Sequence, residues 1–105
     1  MLVSTTETIA GKTIKEVLGI VRGNTVRSRW LGRDILAGLK NLVGGEIKSY
    51  TNLLIITRDE ALNRMIDEAS KLKADAVVNI RFTIAEMMNG TAMEILAYGT
   101  AVKIK

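Results

Sequence analysis

The chain contains neither cysteine nor histidine. Those two absences exclude disulfides, thiolate nucleophiles, iron–sulfur clusters and the thiolate or imidazole zinc sites that a single copy could otherwise build. They also remove the one side chain whose ordinary pKa lies near neutrality, so an acid–base step would need a strongly shifted carboxylate or lysine. No serine sits in a nucleophile elbow, and without histidine its usual base is missing. Gly19-Ile-Val-Arg-Gly23 has the spacing of neither a Walker loop nor a dinucleotide fingerprint. The chain is therefore expected not to be an enzyme.

Proline is absent as well, no linker is rich in glycine and serine, and no repeat of solenoid length occurs. The 105 residues therefore read as one domain, 1–105, with one core. Aromatic residues are few: Trp30, Tyr50, Phe82 and Tyr98. The core must come from Ile, Leu, Val, Ala and Met, a composition that suits a helix packed on a sheet. The chain opens without a basic segment leading into an apolar run, and no stretch is long and uncharged enough to span a bilayer. The expectation is a cytoplasmic protein with no membrane partner. A formal net charge of +4 permits an anionic ligand. Dedicated nucleic-acid binders carry a denser basic patch, so nucleic acid is not expected as a partner.

What is present is punctuated by glycine. Leu2–Thr5 is a short β-prone start, and Thr13–Val26 mixes β-branched residues with Gly19 and Gly23, which predicts a long strand bent or bulged at those glycines. From Leu31 the apolar period becomes helical through Ile35, Leu39 and Leu42 or Val43, until Gly44-Gly45 stops it. Ile47, Tyr50, Leu54, Ala61, Met65, Ala69 and Leu72 continue three- and four-residue spacing, predicting one helix roughly 40 Å long. The competing reading splits it at Thr57-x-x-Glu60, which has the pattern of a capping box. Val77 to Ile84 and Met93 to Lys105 read as two strands joined at Asn89-Gly90. In the second strand Leu96, Tyr98, Val102 and Ile104 share one face and Ile95, Ala97 and Ala101 the other, so both faces are largely apolar. An overlong helix and a two-sided apolar sheet together predict that copies of the chain cover one another.

Candidate ligand groups are few. Arg22, Arg27, Arg29 and Arg33 cluster around Trp30, and guanidinium groups there could hold a carboxylate or phosphate; surface or inter-subunit ion pairing is the competing reading. An anion- or nucleotide-binding protein, or an enzyme, using Arg22 and Arg27 against a phosphate is thus the alternative to a non-enzymatic ring. Glu46 is placed in the first turn of the long helix, where its carboxylate is favoured by the helix dipole, and Tyr50 lies one turn on, either packing or touching a ligand. Glu60, Arg64 and Glu68 recur every four residues, the pattern of a solvated helix face. Glu94 shares a strand face with Leu96 and Tyr98, so its carboxylate needs a partner, Arg81 or a bound cation. The carboxylates available suit hard divalent cations such as magnesium, calcium or manganese, with Glu46 and Glu94 as candidate ligands.

Several fragments, in order along the chain, resemble one known family. They are Val21-Arg22-Gly23-Asn24-Thr25-Val26-Arg27-Ser28, Gly32-Arg33-Asp34, Gly44-Gly45-Glu46 with Tyr50-Thr51, and Arg64-Met65. Ala74-Asp75-Ala76-Val77-Val78 with Arg81-Phe82, and Ala97-Tyr98-Gly99-Thr100-Ala101-Val102, complete the pattern. The chain resembles the YbjQ-like family over essentially its whole length. The resemblance implies an α+β fold, a β-α-β-β subunit similar to that of dodecins with a long helix on a small antiparallel sheet, assembled as a homopentameric ring. It also implies binding of a small ligand or metal ion, the family carrying a heavy-metal-binding label with no catalytic residues attached. After Arg81-Phe82 this chain has Thr83-Ile84-Ala85 where Asp and Ser are commoner in the family.

Overall fold

The computed structural model describes residues 1–28, 46–87 and 92–105. The helix expected over Leu31–Val43, its Gly44-Gly45 stop, Trp30 and the Asn89-Gly90 turn lie outside the described residues. The elements are β1 (Leu2–Val3), β2 (Ile14–Ser28), α1 (Glu46–Lys71), β3 (Ala76–Met87) and β4 (Ala92–Ile104). They form one helix against one four-stranded mixed sheet of order β1-β3-β4-β2. β4 is central and antiparallel to both β2 and β3, while β1 adds in parallel to β3. The architecture is the α+β class read from the sequence, with the two-residue β1 making the sheet mixed rather than purely antiparallel.

α1 is continuous over 26 residues, about 39 Å at the usual rise. Thr57, the residue on which a separate helix would have started, is fully buried inside it. Ala61, Met65 and Ala69, one turn apart, are each fully buried against the sheet, and Leu62 and Ile66 flank them. The helix ends in a Schellman turn: Lys73 takes a left-handed φ of 60°, the Ala74 N–H donates to the Ala69 carbonyl (3.1 Å) and the Lys73 N–H to that of Ser70 (3.0 Å). The sheet meets α1 through Val21 of β2, Val77 and Ile80 of β3, and Ile95, Ala97 and Ala101 of β4.

Of the two glycines expected to disturb β2, Gly19 marks a register shift, with φ 130°. Gly23 does not: it pairs in register with Ala97, and its role is a close approach of backbones. A Cβ at Gly23 would collide with the main chain of α1 at Ala61 O and Met65 N and lie 2.8 Å from Arg64 C. The long helix can therefore rest directly on the strand only because this residue has no side chain. β2 also shifts register between Ile14 and Glu16, and a further irregularity, unanticipated from the sequence, lies in β3 between Val78 and Arg81, where Asn79 adopts φ 56°. One extra residue there moves Val78 to the open face and Ile80 to the helix face. The N-terminal segment backs this bulge: Asn79 N–H donates to Thr6 O (2.9 Å) and Ile80 N–H to Ser4 O (3.0 Å).

Among the described residues, the other face of the sheet is covered at one end only. Ala76, Val78 and Val102 are buried there beneath Ile9, Ile14 and Ile104. Further along, the same face presents Ile20, Arg22, Asn24 and Val26 of β2, which stand opposite Thr100, Tyr98, Leu96 and Glu94 of β4.

Candidate functional site

The polar features of the described residues gather where α1 crosses β2. Arg27 lies on the helix side of the strand, and its Nη2 pairs with Glu60 Oε2 at 2.5 Å. The other oxygen of Glu60 pairs with Arg64 Nη2 at 2.6 Å, one turn along α1, and Arg64 Nη1 donates to the main-chain carbonyl of Asn24 at 2.6 Å. Glu60 and Arg64 were expected on a freely solvated face; they instead tie the helix to the edge strand. With side-chain exposures of 29% for Arg27 and 32% for Glu60, water screens the pair, and its contribution is about 1 kcal/mol. Beside it, the Thr25 hydroxyl and Arg27 Nε are buried without a hydrogen-bond partner among the described residues.

Arg22, Arg64, Lys71, Asp67 and Glu68 surround an open groove of about 290 Å³ next to this network. The two arginines proposed together for a phosphate do not converge. Arg27 faces the helix and is engaged by Glu60, while Arg22 is exposed on the alternate side of β2, in register with Tyr98. Among the described candidate ligand residues, Arg22 and Tyr98 are thus the pair that the fold brings together. Arg81 completes that rung from β3, since it too stands opposite Tyr98.

Glu94 is half-buried, between Val26 and Ala85 in the same rung. The partner expected for it, Arg81, is engaged elsewhere: its Nη1 donates to Thr5 O (2.9 Å) and Ile80 O (2.8 Å), because the β3 bulge brings the N-terminal segment to it. No ion pair to Glu94 occurs among the described residues. Glu46 opens α1 and Tyr50 follows in its first turns, but the side chains of both lie outside the described residues.

A single copy of this chain has no thiolate or imidazole to offer a soft heavy metal, only the thioethers of its methionines. Among the described residues, no three Asp or Glu side chains come together as a metal-holding group. No helix among them is long and apolar enough to cross a membrane. A second groove, of about 390 Å³, is apolar and lies between α1 and β3, lined by Ile55, Phe82 and Ile84 with Arg58 and Asp59 at its border. No motif pointed to it, because it arises from where the helix sits across the sheet.

Fold and surface together define a small two-layer α+β protein with a bulged sheet, one long helix, and an ion pair and a hydrogen bond binding that helix to an edge strand. The chain belongs to the YbjQ-like family, whose model, described as "Putative heavy-metal-binding", matches residues 1–105. A UPF0145 protein of Archaeoglobus fulgidus is 59% identical over 105 residues, covering 100% of this chain and 96% of its own. One from Thermosipho africanus is 58% identical over 105 residues with the same coverage. One from Vibrio campbellii is 53% identical over 104 residues, covering 99% of each. Among solved structures, a protein of unknown function of the DUF74 family from Pediococcus pentosaceus aligns with a TM-score of 0.66 at 22% identity, over 100% of this chain and 98% of that one. That likeness concerns the fold.

Proposed function

We propose that this protein is a non-enzymatic homo-oligomeric ring, with five copies as the expected number, that binds a small ligand or a hard cation where subunits meet. One observation carries the reading: most exposed apolar side chains of the sheet lie on the strands that flank the central β4. Val17 (65% exposed), Ile20 (75%) and Val26 (52%) are on β2, and Phe82 (42%) and Ile84 (58%) on β3. Free sheet edges normally carry charge or proline to prevent pairing with another chain. Here β2 and β3 carry no proline, and beside the charges of Lys15, Glu16, Arg22 and Arg81 they expose a run of apolar side chains, which supports pairing between copies.

The cation reading rests on Glu94, a half-buried carboxylate without an ion pair among the described residues. Copies arranged around a ring would repeat such groups. Calorimetric titration separates the alternatives: magnesium, calcium or manganese should give saturable heat that Glu94→Gln removes, whereas zinc or copper should bind weakly. Saturable heat from soft metals alone would contradict the assignment. An anion reading rests on the Arg22–Tyr98 rung and predicts phosphate binding that is lost in Arg22→Ala. If the assembly falls apart in that variant, the arginine is structural.

A further inference from the structure

On the face of the sheet away from α1, one rung runs from Arg22 of β2 through Tyr98 of β4 to Arg81 of β3. All three residues are exposed, Tyr98 at 36%. Neither guanidinium pairs with a carboxylate among the described residues, although Arg22 also borders the groove toward α1.

Arg81 stands in this rung because of the bulge at Asn79. β3 pairs Val78 with Thr100, and an unbroken ladder would set Ile80 opposite Tyr98; the extra residue sets Arg81 there instead and turns Ile80 into the core. The bulge is held from outside, by the Asn79 and Ile80 N–H bonds to Thr6 O and Ser4 O. Arg81 is held as well, its Nη1 donating to Thr5 O at 2.9 Å. A left-handed φ at a non-glycine residue and a bound N-terminal segment thus place one cation beside an exposed aromatic ring. Bulges re-aim side chains in this way and are over-represented beside functional sites.

The next rung is Asn24, Leu96 and Thr83, an apolar centre between two hydrogen-bonding side chains. From ordinary strand spacing and rise, the two rungs make a patch of about 10 by 7 Å. Its middle is Tyr98 and Leu96, and all four corners are polar, two of them cationic. The rung on the far side of Tyr98 includes Val78, buried beneath Ile9 and Ile14, so the covered end of the face borders the patch. A planar base laid on the middle gains stacking on the tyrosine, with Asn24 and Thr83 at its edges. An anionic group attached to that base meets two guanidinium groups.

We propose that this patch binds a nucleoside monophosphate, its base on Tyr98 and Leu96 and its phosphate between Arg81 and Arg22. This rests on the anion reading of the Arg22–Tyr98 rung and adds to it the second arginine and the base. A patch with room for one base and two cations suits a single nucleotide rather than a strand.

Calorimetric titration of the full chain with adenosine 5′-monophosphate, ribose 5-phosphate and inorganic phosphate tests it. The nucleotide should bind at least about fivefold more tightly than ribose 5-phosphate, the least that stacking on an aromatic side chain contributes. Tyr98→Leu should abolish that preference and Tyr98→Phe should keep it. Arg81→Gln, which can still donate to Thr5 O, should weaken the nucleotide and ribose 5-phosphate alike. The mass in solution and the far-UV circular dichroism of these variants should match wild type; a changed mass would show this face covered in an assembly and overturn the site. Equal affinity for all three compounds would overturn the base contact while leaving the anion reading intact, and wild-type affinity in Arg81→Gln would overturn the second arginine. A single-stranded oligonucleotide binding far more tightly than the mononucleotide would make a strand the occupant and overturn the assignment. No binding of any of the three would remove both readings.

Discussion

Gly23→Ala is the smallest change that tests the packing. The added Cβ would meet three main-chain atoms of α1, at Ala61, Arg64 and Met65, rather than the movable end of a side chain. Relief requires lifting a rigid helix off the strand, which separates fully buried Met65 and Ala61 from Ala97 and stretches the Arg64 contact to Asn24 O. Overpacking a core by one carbon typically costs about 1–3 kcal/mol, and a clash confined to backbone belongs at the top of that range, about 3 kcal/mol. In a chain this short each kcal/mol lowers the melting midpoint by roughly 4–8 °C, so a fall of at least about 12 °C is expected. The assay is thermal unfolding by far-UV circular dichroism at one fixed protein concentration, since assembly would make the midpoint concentration-dependent. A midpoint within 3 °C of wild type would mean that the helix does not lie on β2 as described.

Met65→Ala, at a fully buried position, should destabilise by about 2–5 kcal/mol through lost contacts and a cavity, read by urea unfolding. A double-mutant cycle on Arg27 and Glu60 should give a coupling of about 1 kcal/mol that shrinks in high salt; a coupling near zero would mean the pair is ornamental. Thr25→Val removes a buried hydroxyl without a partner among the described residues, so stability should be unchanged or higher by up to about 1 kcal/mol; a clear loss would reveal a bond to that hydroxyl.

Long-period features were legible in the residues. The spacing of Ala61, Met65 and Ala69 marked the buried stripe of α1, and the two apolar faces of β4 are as the alternation implied. What was hidden depends on tertiary registration. The β3 bulge at Asn79 has no signature beyond one residue tolerant of left-handed φ, yet it sets Arg81 opposite Tyr98, four residues along β4 from Glu94, where it bonds Thr5 instead. Likewise Glu60 looked like half of a local helix pair, because spacing along α1 shows Arg64 and cannot show Arg27 arriving from β2, 33 residues earlier. At Gly23 the residues pointed to a bend or bulge, and only the helix crossing shows that the glycine serves a close approach of backbones instead. The Ile55, Phe82 and Ile84 groove is legible only once the tilt of the helix is known.

The central claim is that copies of the chain complete one another's sheet. Native mass spectrometry at low micromolar concentration tests it most directly. The expected result is a single species of about five times the 11.5 kDa chain mass. A stable 11.5 kDa monomer under the same conditions would contradict it.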